Sequence, residues 1–315
     1  MRHWYVCFLV FCTLLLIPIS VSAKKKEIHI VIDAGHGGED FGAEADYDGT
    51  TVFEKDLNLK VARFLGRNLE TYEGVTVSYT RDDDRFVGLL QRTQIAKNKD
   101  ADILVSIHHN AVGDIADYDH GCTVLTGRGV YKKQICEEEQ KLACNILYEL
   151  SDIGLEDQGI LLRQSENGST YENGELSDYY AIIRNGLEQG VPSILIEHAF
   201  VDSDSDYTEF LNSNQKIKKI AEADAKGIAR YYRLKRKGEE KAEDGLTNIE
   251  EKITLITDGD SANNQVSYKT FYKQKEGVSK QKDSIKQDSG EERKVNTEET
   301  IFEKILKTIK LWIRG

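Results

Sequence analysis

The sequence predicts an α/β domain, a single three-layer unit with helices on both faces of a sheet, followed by a polar tail. Three observations predict it. Short β-branched runs alternate with stretches of helical periodicity from Glu27 to Tyr232. Residues able to bind metal or move protons stand at the ends of several of those runs. After Arg233 the apolar residues thin out among Lys, Glu, Gln, Ser, Asn and Asp.

The elements follow in order. Ile28-His29-Ile30-Val31-Ile32 is a near-continuous apolar run ending at Asp33, the pattern of a buried strand. Leu57, Val61, Phe64, Leu65 and Leu69 recur at helical spacing, which predicts an amphipathic helix over 55–71. A strand at 75–79, a helix over 88–98 and a strand at 103–107 come next. Cys122-Thr123-Val124-Leu125 is strand-like, and 131–150 is helical with Ile135, Leu142, Ile146 and Leu147 inward. A Gly/Ser/Asn-rich stretch, 164–175, reads as a surface loop. Helix over 176–187, strand over 193–197 and a closing helix over 214–232 complete the domain, and no internal repeat is seen.

The flanks have their own chemistry. Residues 1–23 read as an export signal: Arg2, an apolar run from Trp4 to Ile19, and a small-residue end at Val21-Ser22-Ala23. A membrane anchor is the alternative, but the run is short against the roughly 20 residues that span a bilayer. The mature chain, 24–233 as catalytic domain plus tail, then keeps Cys122, Cys136 and Cys144, an odd number that reads as small core residues. Between 24 and 233 there are 24 basic and 38 acidic residues, net −14, which excludes a nucleic-acid partner for the main domain. The run Glu137-Glu138-Glu139 reads as a solvated helix face.

The tail divides in two. Residues 234–300 read as a charged, mostly disordered segment. In 301–315, Ile301, Phe302, Ile305, Leu306, Ile309, Trp312 and Ile313 make one helical stripe, with Lys304, Lys307, Lys310 and Arg314 mostly elsewhere. That is a basic amphipathic helix, suited to a membrane surface, to a partner protein or to its own domain.

Four segments carry candidate chemistry. His36 stands in the turn Asp33-Ala34-Gly35-His36-Gly37-Gly38 directly after the first strand, where glycines let the backbone turn and open the imidazole. Phosphate cradling is disfavoured, since neither Gly-Lys-Ser/Thr nor the G-x-G-x-x-G spacing is present. Glu54 opens the first helix, where a carboxylate is by itself an ordinary choice. Ser106-Ile107-His108-His109-Asn110-Ala111 runs from a buried strand into two histidines, whose side chains must point to opposite faces. Glu197, at the mouth of Ile194-Leu195-Ile196, is costly to bury without a partner. His36, His108 and Glu197 all follow strands, so all can converge in the crevice beyond the strand ends. Two imidazoles and a carboxylate with an open position suit catalytic zinc, and a further Glu suits a base.

In these residues the chain resembles the zinc-dependent N-acetylmuramoyl-L-alanine amidases of the family-3 type. The resemblance rests on Ile32 to Asp40 with Gly42-Ala43, on Glu54-Lys55-Asp56-Leu57-Asn58, and on Thr80-Arg81 with Arg92. It continues through Ala101-Asp102 to Ser106–Ala111 and ends at Pro192–Glu197, covering about Glu27 to Tyr232. It implies a mixed, roughly six-stranded sheet of phosphorylase/hydrolase-like form. It implies one Zn2+ held by His36, Glu54 and His108, with Glu197 as the catalytic base. The implied reaction is hydrolysis of the bond between N-acetylmuramic acid and L-alanine in peptidoglycan, outside the cytoplasmic membrane. Many relatives carry a small residue where this chain has His109, and they vary at His198. His109 and His198 are candidates for shaping the substrate groove or steadying Glu197 rather than for binding the metal, and Asn110 and Arg92 are further candidates for the groove. A silent wall-binding module and a zinc peptidase acting within the stem peptide are the alternative readings.

Overall fold

The computed structural model describes residues 27–111 and 120–243 together with two strands further on, at 253–256 and 265–270. The alternation is realised almost element for element. Strand β1 (Ile28–Ala34) is followed by a hairpin of β2 (Glu44–Tyr47) and β3 (Thr50–Phe53), then helix α1 (Glu54–Leu69). Next come β4 (Val75–Tyr79), α2 (Leu89–Asn98), β5 (Ile103–Asn110), β6 (Cys122–Leu125), α3 (Lys133–Asp152) and β7 (Asp157–Arg163). Helix α4 (Ala181–Gln189), β8 (Ser193–Phe200) and α5 (Asn214–Tyr232) follow, and β9 (Ile253–Ile256) and β10 (Gln265–Thr270) end the series.

One sheet takes all the strands except the hairpin, in the order β4-β1-β5-β8-β6-β7-β10-β9. β4, β1, β5 and β8 run parallel, β6 is antiparallel to β8, and β7 is parallel to β6, so the sheet is mixed. Each face has its own apolar cluster. Ile30 and Ile32 point into the one formed with Leu57, Val61 and Leu65 of α1, Ile146 of α3 and Ile220 of α5. Val31, Leu104 and Leu195 point into the other, with Ile183 and Leu187 of α4. The side-chain period of two thus splits β1 between both layers, which is why Ile30-Val31-Ile32 at its centre is apolar at every position.

Several expectations are corrected. The strand β7 has no counterpart in the sequence reading, because its apolar core is only Ile160-Leu161-Leu162 between polar ends. Helix α4 begins at Ala181 rather than 176. The preceding residues instead fold the 164–178 loop, with bridges Gln164↔Asp178 and Thr170↔Leu176. Glu139 is not on a solvated face. It is 1 % exposed and accepts hydrogen bonds from Gly127 N at 2.9 Å and Ser193 N at 2.8 Å, and burial pushes its carboxyl up to about 8. The six strands β4, β1, β5, β8, β6 and β7 form the expected mixed sheet, and beyond β7 the strand β10 pairs antiparallel with it and β9 with β10. Short alternations such as Val266-Ser267-Tyr268-Lys269 are too brief to stand out in polar sequence, and an open sheet edge gives them their backbone partners.

Residues 234–243 also belong to the folded body: Leu234 is buried, and the Arg236 guanidinium lies 5.0 Å from the Tyr72 ring centroid. Cys122, Cys136 and Cys144 are all buried, as expected of core residues. No helix among the described residues is long and apolar enough to cross a membrane. The export-signal region 1–23 and the 301–315 stripe lie outside the described residues.

Candidate active site

The site is built at the carboxyl ends of β1, β5 and β8. β1 stops at Ala34 because the next turn needs three successive residues in the left-handed region: His36 at φ 60°, Gly37 at 123° and Gly38 at 62°. Glycine adopts this without strain; His36 does not, so the turn must be held from outside. It is. Arg81 donates from Nε to Ala34 O at 2.8 Å and from Nη2 to Gly35 O at 2.7 Å. Arg92 donates to Ala34 O at 2.6 Å and to His36 O at 2.8 Å, and Lys55 Nζ donates to Gly38 O at 2.8 Å. Beneath them Asp33 is fully buried and accepts from Arg92 Nη1 at 2.7 Å and Ser106 Oγ at 2.6 Å. Burial alone would raise its pKa; Arg92, Ser106 and Thr80 outweigh that and lower it.

Three predicted side chains meet. Ligand-type atoms of His36, Glu54 and His108 all lie within 4.8 Å of one another. His36 Nε2 is 3.0 Å from Glu54 Oε2, and His108 Nδ1 is 2.9 Å from Glu54 Oε1, with the imidazoles edge to face at 4.9 Å between centroids. Two glycines make this closeness possible. A Cβ on Gly35 would come within 2.3 Å of the His108 ring, and one on Gly42 within 2.5 Å of Glu54 Oε2 and 2.8 Å of His36 Cδ2. His108 is the most open of the three, with 19 % of its side chain exposed against 9 % and 6 %, so the cluster is approached from its side.

The charges explain why such a cluster is poised. Burial lowers the pKa of His36, but the carboxylates of Glu54 and Asp40 prevail and push it up to about 10. Burial would raise Glu54, yet His36 and His108 hold it well below the usual carboxylate range. His108 is lowered, burial outweighing Glu54. His36 is therefore held protonated between the carboxylates of Asp40 and Glu54.

Glu197 sits beside this cluster: its Cα is the register partner of His108 Cα across β5 and β8, and of Thr123 on β6. Its Oε2 is buried with no hydrogen-bond partner among the described residues. Burial first, and then the nearby Glu54 charge, push its carboxyl up to about 8.

The four groove candidates fare differently. Asn110 is half-buried at the end of β5, and its Oδ1 accepts from Ala111 N at 2.9 Å. Arg92 is corrected: 3 % exposed and spent on Asp33, Ala34, His36 and Val87, it supports the turn from inside. His109 and His198 are also corrected. They are 2 % and 0 % exposed on the face of the strands opposite His108, where His198 Nε2 lies 2.8 Å from Asp224 Oδ2. The sequence reading left Asp40, Asn58 and Asp224 without roles. Asp40 Oδ1 lies 2.9 Å from His36 Nδ1, and the signal for it is a carboxylate in the same turn as the histidine. Nothing local marks Asp224, which lies 26 residues from His198 on α5.

Residues 30–230 match the family Amidase_3, described as N-acetylmuramoyl-L-alanine amidase. The chain belongs to that family. Its catalysed reaction is therefore hydrolysis of the amide between N-acetylmuramic acid and L-alanine in peptidoglycan, a cell-wall substrate. The amidase is similar to the N-acetylmuramoyl-L-alanine amidase CwlM of Bacillus licheniformis, 32 % identical over 214 residues, 66 % of this chain and 70 % of that one. It is also 33 % identical over 233 residues to the uncharacterized protein YqiI of Bacillus subtilis, covering 73 % of this chain and 97 % of that protein. Among solved structures, an N-acetylmuramoyl-L-alanine amidase from Clostridium difficile 630 superposes with a TM-score of 0.54 at 26 % identity, covering 65 % of this chain and 97 % of the other.

Proposed function

We propose that this amidase is a zinc hydrolase in which His36, Glu54 and His108 hold one Zn2+ and Glu197 moves the protons. The single observation that carries the reading is the convergence of two imidazoles and a carboxylate, from three distant segments, within 4.8 Å of one another. The donor set fits zinc, which takes imidazole and carboxylate ligands in three-residue catalytic sites that keep one position open. His36 carries the expected outer support, since Asp40 bonds the ring nitrogen opposite the one facing Glu54. Bound there, zinc would supply Lewis acidity and bring the pKa of a bound water towards roughly 7.

The remaining steps belong to the chain's own residues. Glu197 takes the proton of the attacking water and returns it to the departing L-alanine nitrogen, which leaves poorly as an anion. A carboxyl pushed up to about 8 without a cation, and drawn down again by one nearby, has the near-neutral balance that accepting and returning a proton requires. Export on the 1–23 signal, and a membrane or protein contact through 301–315, complete the proposal and place the enzyme at the cell wall.

Digestion of purified peptidoglycan, followed by mass analysis of the fragments, tests the reading. We expect stem peptides with free L-alanine amino termini, lost on adding a zinc chelator and restored by zinc. New termini within the stem would mean a peptidase, and no release at all a silent module. A second expectation concerns pH. Because His36 keeps its proton up to about 10 in the metal-free protein and must shed it to bind, zinc affinity should rise with pH. The expected slope is up to ~10-fold per unit between about pH 7 and 9. Chelator competition at three pH values reads it; a flat profile would mean the proton is not there.

A further inference from the structure

We infer that His109 is a positioning residue for Glu54, acting through the side chain of Asn58. The inference rests on the zinc reading of the cluster. His109 follows His108 on β5 and so points to the opposite face, into the interior against α1. There its Nδ1 lies 2.7 Å from Asn58 Oδ1, while Asn58 Nδ2 lies 3.0 Å from Glu54 Oε1 and 3.3 Å from Gly35 O. Asn58 is fully buried.

The chemistry leaves one consistent assignment. An asparagine amide accepts at one end and donates at the other. A carboxylate and a carbonyl stand at one end of Asn58, so the NH2 group must face them and Oδ1 must face His109. His109 Nδ1 therefore carries the hydrogen, and the neutral ring leaves Nε2 bare. Nε2 is indeed buried with no hydrogen-bond partner among the described residues. The ring is packed in place by His198, 5.4 Å away between centroids, which is itself tied to Asp224 and to the His108 carbonyl at 3.1 Å. The backbone N of His109 adds a contact to the same Glu54 oxygen at 3.3 Å.

Residue 109 thus sets Glu54 Oε1 twice, directly by its backbone and through Asn58 by its ring. Without the Nδ1–H donor, the buried Asn58 Oδ1 loses its partner, and the amide is held from its Nδ2 end alone, so the group that steadies Glu54 Oε1 is itself less fixed. The other oxygen, Oε2, accepts from Ala43 N at 2.9 Å and faces His36. A carboxylate fixed at both oxygens is one that meets a metal without reorganising.

The test is zinc affinity of the full chain by chelator competition, with urea unfolding of the metal-free form alongside. His109→Phe keeps the ring volume and removes the donor, and is expected to weaken zinc binding by ~10–100-fold. Asn58→Ala should do the same, and the double variant should be no weaker than the worse single one, since both remove one pathway. His109→Asn, which retains a donor, should recover most of the loss even if its stability is lower. The inference is overturned if His109→Phe binds zinc within twofold of the parent, or if the two penalties multiply. Should His109→Phe not fold, the comparison of His109→Asn with Asn58→Ala decides, near-parent affinity being expected only in the former. A parent protein that takes up no zinc would sink the metal reading itself.

Discussion

Glu197→Gln is expected to keep zinc and fold while losing ~10^2–10^4-fold in turnover, the usual range for removing a positioned proton-transfer group. The substitution is nearly isosteric, so it leaves the apolar strand Ile194-Leu195-Ile196 and the register with His108 intact. What it removes is the ability to bind and release a proton from an oxygen that no group among the described residues satisfies. Steady-state hydrolysis of soluble muropeptide, with zinc content measured on the same sample, reads the effect. Near-parent turnover would end the role assigned to Glu197. A control follows from the sign of the pKa shift. The native state holds the Glu197 proton up to about 8, whereas the unfolded chain releases it near the ordinary 4.5. Over that interval the native state binds more protons, so the metal-free parent loses stability as pH rises. Glu197→Gln should abolish that part of the slope, and at pH 9 its metal-free form should be the more stable protein.

His36→Ala and His108→Ala should each leave a folded protein that retains almost no zinc after dialysis, against about one per chain for the parent. Activity should fall by roughly three orders of magnitude or more, because a Lewis acid worth several kcal/mol of transition-state stabilisation is gone. The two positions differ in their effect on the metal-free protein. Losing His36 leaves Glu54 facing fewer positive charges in a buried site and returns Asp40 to solvent, so the Glu54 carboxyl should move up from its depressed position. Losing His108 removes a largely neutral ring that shares Glu54 Oε1 with Asn58. Atomic absorption on dialysed samples is sufficient; a variant holding stoichiometric zinc would show that its histidine is not a ligand.

Much of the site was legible before the fold was known. His36, His108 and Glu197 stand out because each breaks the local rule, an imidazole in a glycine turn and polar groups closing apolar strands, whereas Glu54 is an ordinary choice at a helix start and is singled out only by the family resemblance. Their immediate supports were less visible. Arg92, His109 and His198 carry the same side-chain chemistry as groove residues, and only their depth assigns them to the interior. Glu139 shows the same ambiguity: in sequence it is one of three adjacent acids, and the structure turns it alone inward onto two backbone amides.

The sequence by itself determined the order of the elements, the α/β class and the residue types of the site, because periodicity and strand-end chemistry are properties of short stretches. Tertiary structure alone decided which side chains share a face, which histidine reaches Glu54 directly and which through Asn58, and where the sheet ends. The physical reason is that burial, and hence charge state and hydrogen-bond partner, is set by contacts between segments far apart in the chain. His198 and Asp224 lie on a strand and a helix whose meeting no local pattern records.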